Sequence, residues 1–184
     1  MFFKTKKVIA HGNLVNLYMP NINFAKEYLM LTNSSINFHH PWVFPALTTN
    51  EYKIYLNRIS KGYTKGFFIS RNLDSHLVGV ININNIMYGS SCSATLGYYL
   101  GKDYAGMGYM TEGINLLLEL AFNTLGFNRI EVNIQPGNKP SKMLVQRLGF
   151  RLEGFSPKFL KLDGKWRDHE RWAMINDEWG LLKS

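Results

Sequence analysis

A mixed α/β domain with an antiparallel meander in its sheet is what the sequence predicts, and three observations carry that expectation. Hydrophobic spacing switches repeatedly between period two and period 3.6 along the chain. Three strand-like segments between Phe67 and Leu100 are joined by turn-like junctions. From Thr95 onward the order becomes strand, glycine loop, helix, strand, helix, strand. With 184 residues, 46% hydrophobic and 14% aromatic, the chain can bury one core and fits one domain, 1–184, better than two. No repeat, low-complexity stretch or Pro/Gly/Ser linker divides it.

Leu14 to Met19 reads as the first strand, and Asn23 to Leu31 as a helix with Phe24, Tyr28 and Leu31 on one face. Ile36 to Leu47 contains His39, His40, Pro41, Trp42, Phe44 and Pro45, and is predicted to be irregular and aromatic. Thr48 or Thr49 with Glu51 nearby marks a helix start. Tyr52, Tyr55, Leu56 and Ile59 follow at helical spacing until Gly62 ends the run. Phe67 to Ser70, Leu77 to Ile83 and Thr95 to Leu100 are the meander strands. The last runs through Ala105-Gly106-Met107-Gly108-Tyr109-Met110 into a helix with Ile114, Leu117, Leu118, Ala121, Phe122 and Leu125 on its apolar side. Arg129 to Gln135 reads as a strand and Pro136-Gly137-Asn138 breaks it. Lys139 to Leu148 forms a short helix stopped by Gly149, and Phe150 opens another strand.

Composition excludes several classes. The apolar content rules out a disordered chain. No stretch approaches the roughly 18 to 20 apolar residues that cross a bilayer, and Met1 to Lys7 has charge but no following apolar signal region, so a cytoplasmic protein with no membrane partner is expected. The single Cys92 forms no internal disulfide and makes a poor zinc ligand; a small buried or half-buried thiol is expected, and no metal site. The net charge of +8 raises encounter rates with polyanions of every kind, ribosomes included, without naming one. Lys4 to Lys7 is the densest basic patch and no run reaches five, so any nucleic-acid contact is expected to be incidental. Monomer and homodimer both remain open.

The glycine loop is the first feature with chemistry in it. Unpaired N–H groups in a helix's first turn form an anion site, and glycine lets a diphosphate approach the backbone. Paired glycines also serve ordinary turns. A P-loop is excluded because no Gly-Lys-Ser/Thr closes the loop. A dinucleotide fold is disfavoured by the preceding meander and the missing third glycine.

Beyond that loop the pattern becomes specific. Asn138-Lys139-Pro140-Ser141, then Leu148-Gly149-Phe150 and Glu153-Gly154-Phe155, then Asp163-Gly164-Lys165-Trp166-Arg167-Asp168-His169, together resemble the GNAT superfamily of N-acetyltransferases. The match is to its ribosomal-protein-alanine (RimJ/RimL-like) branch. The superfamily's Gln/Arg-x-x-Gly-x-Gly/Ala pattern falls on Ala105 to Met110, where the key glycine Gly108 is kept and the first and last positions depart. The resemblance covers roughly Gly79 to Trp172. It implies a mixed, mostly antiparallel sheet flanked by helices, in which the fourth strand splays from the fifth and the pantetheine of acetyl-coenzyme A (acetyl-CoA) enters the gap.

By that resemblance the backbone of Tyr98, Tyr99 and Leu100 binds pantetheine, and amides of Gly106, Met107, Gly108, Tyr109, Met110 and Thr111 take the pyrophosphate, with Asn138 and Ser141 alongside. Each residue has a plainer reading: sheet aromatics for the tyrosines, helix-start residues for Thr111 and Glu112, and an ordinary cap for Asn138 to Ser141. Direct attack of a neutral amine on the thioester needs oxyanion stabilisation and a proton donor to the thiolate, but no covalent enzyme intermediate. Where many relatives carry a glutamate base and a tyrosine acid, this chain has Asn133 and Val145. Glu131 shares a strand face with Asn133 and either reaches the amine through water or is a surface charge. Ser141 is the implied thiolate-side donor. His39, His40 and Trp42 in the aromatic segment are candidates for holding the acceptor, as are Asp168 and His169, for which a structural hydrogen-bonded pair is the favoured reading. The implied reaction is acetyl transfer from acetyl-CoA to a primary amine, first of all the N-terminal α-amino group of a ribosomal or other protein. The alternatives are a small-molecule amine such as an aminoglycoside or polyamine, and a non-catalytic coenzyme A-binding or ribosome-binding module.

Overall fold

The structure, a computed structural model, describes residues 7 to 183; most of the Lys4 to Lys7 patch lies outside the described residues. Eight strands form one sheet in the order β1-β2-β3-β4-β5-β6-β8-β7. Every neighbouring pair is antiparallel except β5 and β6, which run parallel.

The chain opens with β1 (Val8–His11) and β2 (Val15–Tyr18). The first strand expected from the sequence, Leu14 to Met19, is β2, and β1 precedes it without a sequence signal. Three half-buried residues and an exposed histidine, Val-Ile-Ala-His, carry too short a pattern to stand out from a charged flank. A 3₁₀ turn over Ile22–Phe24 leads into α1 (Ala25–Ser34), with Phe24, Tyr28 and Leu31 buried together as expected. The segment from Ile36 is not wholly irregular: it begins with one helical turn, α2 (Ile36–His39), and loses regularity at the cis His40–Pro41 bond. In α3 (Thr49–Ser60) Thr48 and Glu51 form a reciprocal capping box, which satisfies two otherwise orphaned donors.

Strands β3 (Lys65–Arg71), β4 (Leu77–Met87) and β5 (Ser93–Leu100) make the meander. Helix α4 (Tyr109–Glu119) follows, its last turn widening over Leu120–Thr124, and then β6 (Arg129–Ile134) and α5 (Lys139–Arg147). Strands β7 (Arg151–Leu162) and β8 (Lys165–Ile175) form a hairpin across Asp163 and Gly164. Both turn residues have positive φ, 47° and 72°, as a two-residue hairpin turn demands. Helix α6 (Asn176–Lys183), absent from the sequence reading, closes the chain.

Two apolar clusters sandwich the sheet. Ile114, Leu117 and Leu118 of α4 and Val145 of α5 pack on one face against Ile81, Ile83, Ile130 and Val132. On the other, Phe24 and Tyr28 meet Tyr52, Phe68, Val80 and Tyr99. Successive strand residues alternate between these faces, so Tyr98 and Tyr99 leave β5 on opposite sides of the sheet. No helix among the described residues is long and apolar enough to cross a membrane.

Candidate active site

The pairing of β5 with β6 stops before either strand does. Their register runs from Ser93↔Arg129 to Leu96↔Val132, yet β5 continues to Leu100 and β6 to Ile134. Beyond Leu96 the strands separate, and a cleft of about 1040 Å³ opens between them. It is lined on one side by β5, the glycine loop and α5, and on the other by the Phe38–Val43 segment and His169.

Strand geometry identifies which backbone groups face the gap. The Gly101 N–H donates to the Val78 carbonyl at 2.9 Å, making 78 and 101 a hydrogen-bonded pair. Because such pairs alternate along an antiparallel ladder, Tyr99 and Val80 exchange bonds with each other, while the polar groups of Tyr98 and Leu100 turn toward β6. Past the last β5–β6 pair these groups have no strand partner. The Leu100 carbonyl is taken by His39 Nε2 at 2.7 Å, which leaves the Tyr98 N–H and C=O and the Leu100 N–H to meet a ligand. The expected ligating set therefore needs a correction: the Tyr99 backbone belongs to the β4 ladder, and its ring is a buried wall residue whose hydroxyl bonds that of Tyr28 at 2.8 Å.

The glycine loop lies at the open end of the gap. Gly106 and Gly108 have φ of 78° and 82°, a region that favours glycine, and Gly108 is the N-cap of α4. Ala105, Gly106, Gly108, Met110 and Thr111 line the cleft, and the Met107 side chain is exposed. Tyr109 stands at the first position of α4 close to the Arg71 side chain, whose guanidinium lies 5.2 Å from the Tyr104 ring centroid. One arginine thus holds both shoulders of the loop. Glu112 stands in the first turn of α4, where a negative charge suits the helix N-terminus. Its carboxylate accepts from the N–H groups of Asn13, Leu14 and Val15 at 2.7–2.9 Å and ties the β1–β2 turn to the loop. Leu14 from that turn lines the cleft, 3.5 Å from where a Cβ on Gly108 would lie.

On α5, the Asn138 Oδ1 accepts from the Ser141 N–H at 3.2 Å, the cap expected from the spacing. The Ser141 hydroxyl is 2.8 Å from the Tyr98 hydroxyl, and both residues line the cleft. Burial pushes the Tyr98 phenol up to about 12, with the Ser141 bond opposing it, so the phenol stays protonated. Val145 is fully buried in the core and has no access to the cleft.

On the acceptor side the expected residues separate. Asn133 is the first β6 residue past the last paired position, lines the cleft, and has a buried Oδ1 without a hydrogen-bond partner. Glu131 shares its face but is not in the lining; Arg129 Nε holds it at 2.7 Å. His39 and Trp42 line the cleft, whereas His40 is exposed and stacks edge-on against Phe44. Asp168 and His169 do not pair. Adjacent residues on a strand point to opposite faces: Asp168 accepts from the Lys158 N–H at 2.7 Å, while His169 is buried at the cleft with Nδ1 3.0 Å from the Arg167 carbonyl. Burial lowers the pKa of both His39 and His169.

The sequence carries no sign of Arg71, of the Glu112 contacts with residues 13–15, or of Gln135, whose Nε2 donates to the Pro41 carbonyl at 3.1 Å and anchors the aromatic segment to the end of β6. No local spacing signals contacts of 98 or 94 residues' separation.

A family model described as an Acetyltransferase (GNAT) domain matches residues 23–151. The chain is 34% identical over 124 residues to the probable N-acetyltransferase YjcK of Bacillus subtilis (strain 168), covering 67% of this chain and 68% of that protein. It is 30% identical over 166 residues to the ribosomal protein uS5-alanine N-acetyltransferase of Escherichia coli (strain K12), covering 90% and 82%. Among solved structures, Mycobacterium smegmatis RimJ in complex with CoA-disulfide matches with a TM-score of 0.81 at 26% identity, over 89% of this chain and 83% of that one.

Proposed function

The chain belongs to the GNAT acetyltransferases and is an acetyl-CoA-dependent N-acetyltransferase related to the ribosomal-protein N-acetyltransferases, and from that premise we propose that its acceptor is the α-amino group of a protein N-terminus, a ribosomal protein first of all. One observation carries the acceptor class. Among the described residues, the only carboxylate lining the cleft is Glu112, and its oxygens are bonded to backbone N–H groups. A polyamine or aminoglycoside brings several positive charges and wants clustered carboxylates to meet them. An α-amino group has a pKa of about 7.7–8.0 and is roughly a tenth neutral at pH 7, whereas a lysine-like amine near 10.4 is neutral in about one molecule in 2,500. A cleft without a free carboxylate therefore favours the amine that ionises least.

The residues fit acetyl-CoA on backbone geometry. The Tyr98 N–H and C=O and the Leu100 N–H continue β5 where β6 has left it, so they would pair with the amides of pantetheine as a strand would. Loop amides at Gly106 to Thr111 would hold the pyrophosphate, helped by the α4 N-terminus by about 0.3–1 kcal/mol. Acetyl-CoA supplies the thioester whose C–S bond breaks. Either hydroxyl of the Tyr98–Ser141 pair can donate; with Tyr98, kept protonated by burial, as the donor to Ser141 Oγ, the Ser141 hydrogen is free to point into the cleft toward the departing sulfur. Trp42 and Phe38 wall the acceptor side.

The test is a panel of acetyl-CoA assays with peptides beginning Ala, Ser or Met, set against spermidine and an aminoglycoside, with the acetylated nitrogen located by mass spectrometry. Acetylation on the peptide α-nitrogen is expected. Faster turnover of spermidine or the aminoglycoside would overturn the acceptor class, and turnover of none would favour a binding module.

A further inference from the structure

Resting on the acetyl-transfer reading above, we propose that His169 is the base that deprotonates the acceptor amine, its tautomer fixed by the Arg167 carbonyl and its Nε2 offered to the cleft beside Asn133. A carbonyl oxygen only accepts hydrogen bonds, so the 3.0 Å contact between His169 Nδ1 and the Arg167 carbonyl requires the hydrogen on Nδ1. The neutral ring then carries its lone pair on Nε2. Among the described residues no other group hydrogen-bonds this ring. The Phe159 ring packs against it in a T-shaped arrangement, centroids 6.1 Å apart, and the residue lines the cleft.

Sheet register puts this lone pair where an amine would be held. Asn133 of β6 sits opposite Arg171 of β8, which makes His169 its diagonal neighbour on the same face, about 7–8 Å away. The Asn133 Oδ1, buried and unpartnered, can accept an N–H from the amine but cannot take its proton. The other basic groups nearby are engaged elsewhere. Glu131 is paired with Arg129 and absent from the lining. His39 spends Nε2 on the Leu100 carbonyl, and its Nδ1 is buried without access to the cleft.

The charged groups around His169 leave its ring neutral at pH 7. On β8, Asp168 turns away to the Lys158 N–H, Glu170 pairs with Lys142, Arg171 lies over Gly154, and Arg167 contributes its carbonyl. Burial holds the imidazole below its ordinary pKa, with the Arg167 bond and the Asp168 charge opposing. A neutral imidazole takes one proton from the ammonium. The freed nitrogen pair forms the N–C bond to the acetyl carbonyl, the C–S bond breaks with its electrons on sulfur, and nitrogen loses its second proton. Coenzyme A sulfur gains one proton, and the imidazolium returns the other to solvent.

Two measurements on the full chain test this assignment. Nitrogen-15 NMR of the histidine side chains should show His169 as the Nδ1–H tautomer, titrating below about 6.5; an Nε2–H tautomer would overturn the proposal whatever the acceptor is. His169→Gln, assayed with whichever amine the wild type turns over fastest, should lose about 10²- to 10⁴-fold in kcat at pH 7 with acetyl-CoA affinity and melting temperature nearly unchanged. His169→Ala should regain activity saturably with added imidazole. Wild-type kcat in the Gln variant, or loss of activity in the Ala variant that imidazole does not restore, would overturn it. Failure of the α-amine class shows up separately, in the acceptor panel.

Discussion

The two walls of the cleft are built from different materials. The wall proposed for the cofactor is mostly backbone: the outward groups of Tyr98 and Leu100, the loop from Ala105 to Thr111, and an α5 start capped by Asn138. The wall proposed for the acceptor is mostly side chain: Phe38, His39 and Trp42 from one segment, Asn133 from β6 and His169 from β8. Backbone sites depend on conformation and tolerate sequence drift, whereas side-chain sites change their chemistry with one substitution. That contrast fits a chain that uses acetyl-CoA and carries Asn133 and Val145 at the positions where the family resemblance implies a base and an acid.

The largest expected effect tests whether the loop is a backbone anion site. Gly108 has a left-handed φ of 82° with Leu14 as its nearest neighbour at 3.5 Å. Asparagine and aspartate both tolerate that region and are almost the same size, so Gly108→Asn and Gly108→Asp differ chiefly in charge. Calorimetry should find acetyl-CoA bound at least tenfold more weakly by the Asp variant than by the Asn variant. Equal affinities would remove the pyrophosphate from the loop.

Next in size is the one side chain on the cofactor wall given a chemical role. Ser141→Ala should lower kcat by about tenfold to a thousandfold and leave acetyl-CoA affinity nearly unchanged, because Asn138 still caps α5 through the residue 141 backbone N–H. Tyr98→Phe removes only the orienting bond and should cost less than Ser141→Ala. Unchanged turnover in the Ser141 variant, with a lower melting temperature, would reduce the hydroxyl to a packing contact.

How much of this was legible follows the same division. The glycine loop and the Asn138-x-x-Ser141 cap are local patterns, and strand and helix periods located the elements that carry them. The Tyr98–Ser141 bond joins residues 43 apart and the Glu112 contacts span 97 to 99, so both exist only once the sheet has formed. Asp168 and His169 looked like a pair because they are neighbours in sequence, but strand pleating sends them to opposite faces. The separation of β5 from β6 has no sequence signal of its own; it came from the family resemblance and is visible here as a register that stops at Leu96↔Val132.

A moderate effect should expose the side-chain character of the acceptor wall. Trp42 is half-buried and its ring would lie 3.1 Å from a Cβ on Gly137, so it covers the β6–α5 turn while lining the cleft. Trp42→Ala should raise KM for an acceptor peptide severalfold with acetyl-CoA affinity within about twofold, as expected for lost ground-state binding. A lower melting temperature with both affinities reduced together would make the ring a plug and take the segment out of the acceptor site.

The smallest effect concerns stability rather than turnover, and it also divides along the two walls. His39 and His169, both on the acceptor wall, have pKa values held below 6.5, chiefly by burial. The unfolded chain therefore binds more protons than the folded one as pH falls through about 6.5, and stability must fall with it. Their contribution is complete above about pH 6.5 and is lost as pH drops toward and through the folded values. Melting temperature should accordingly decline between about pH 6.5 and 5, and hydrogen exchange should rise first at the Phe38–Val43 segment and the β7–β8 hairpin rather than at the glycine loop. His39→Gln keeps a donor for the Leu100 carbonyl but cannot titrate, so its melting curve should depend less steeply on pH over that window. An unchanged slope in this variant would mean that acid sensitivity arises elsewhere, and exchange rising first at Gly106 to Thr111 would place it on the cofactor wall instead.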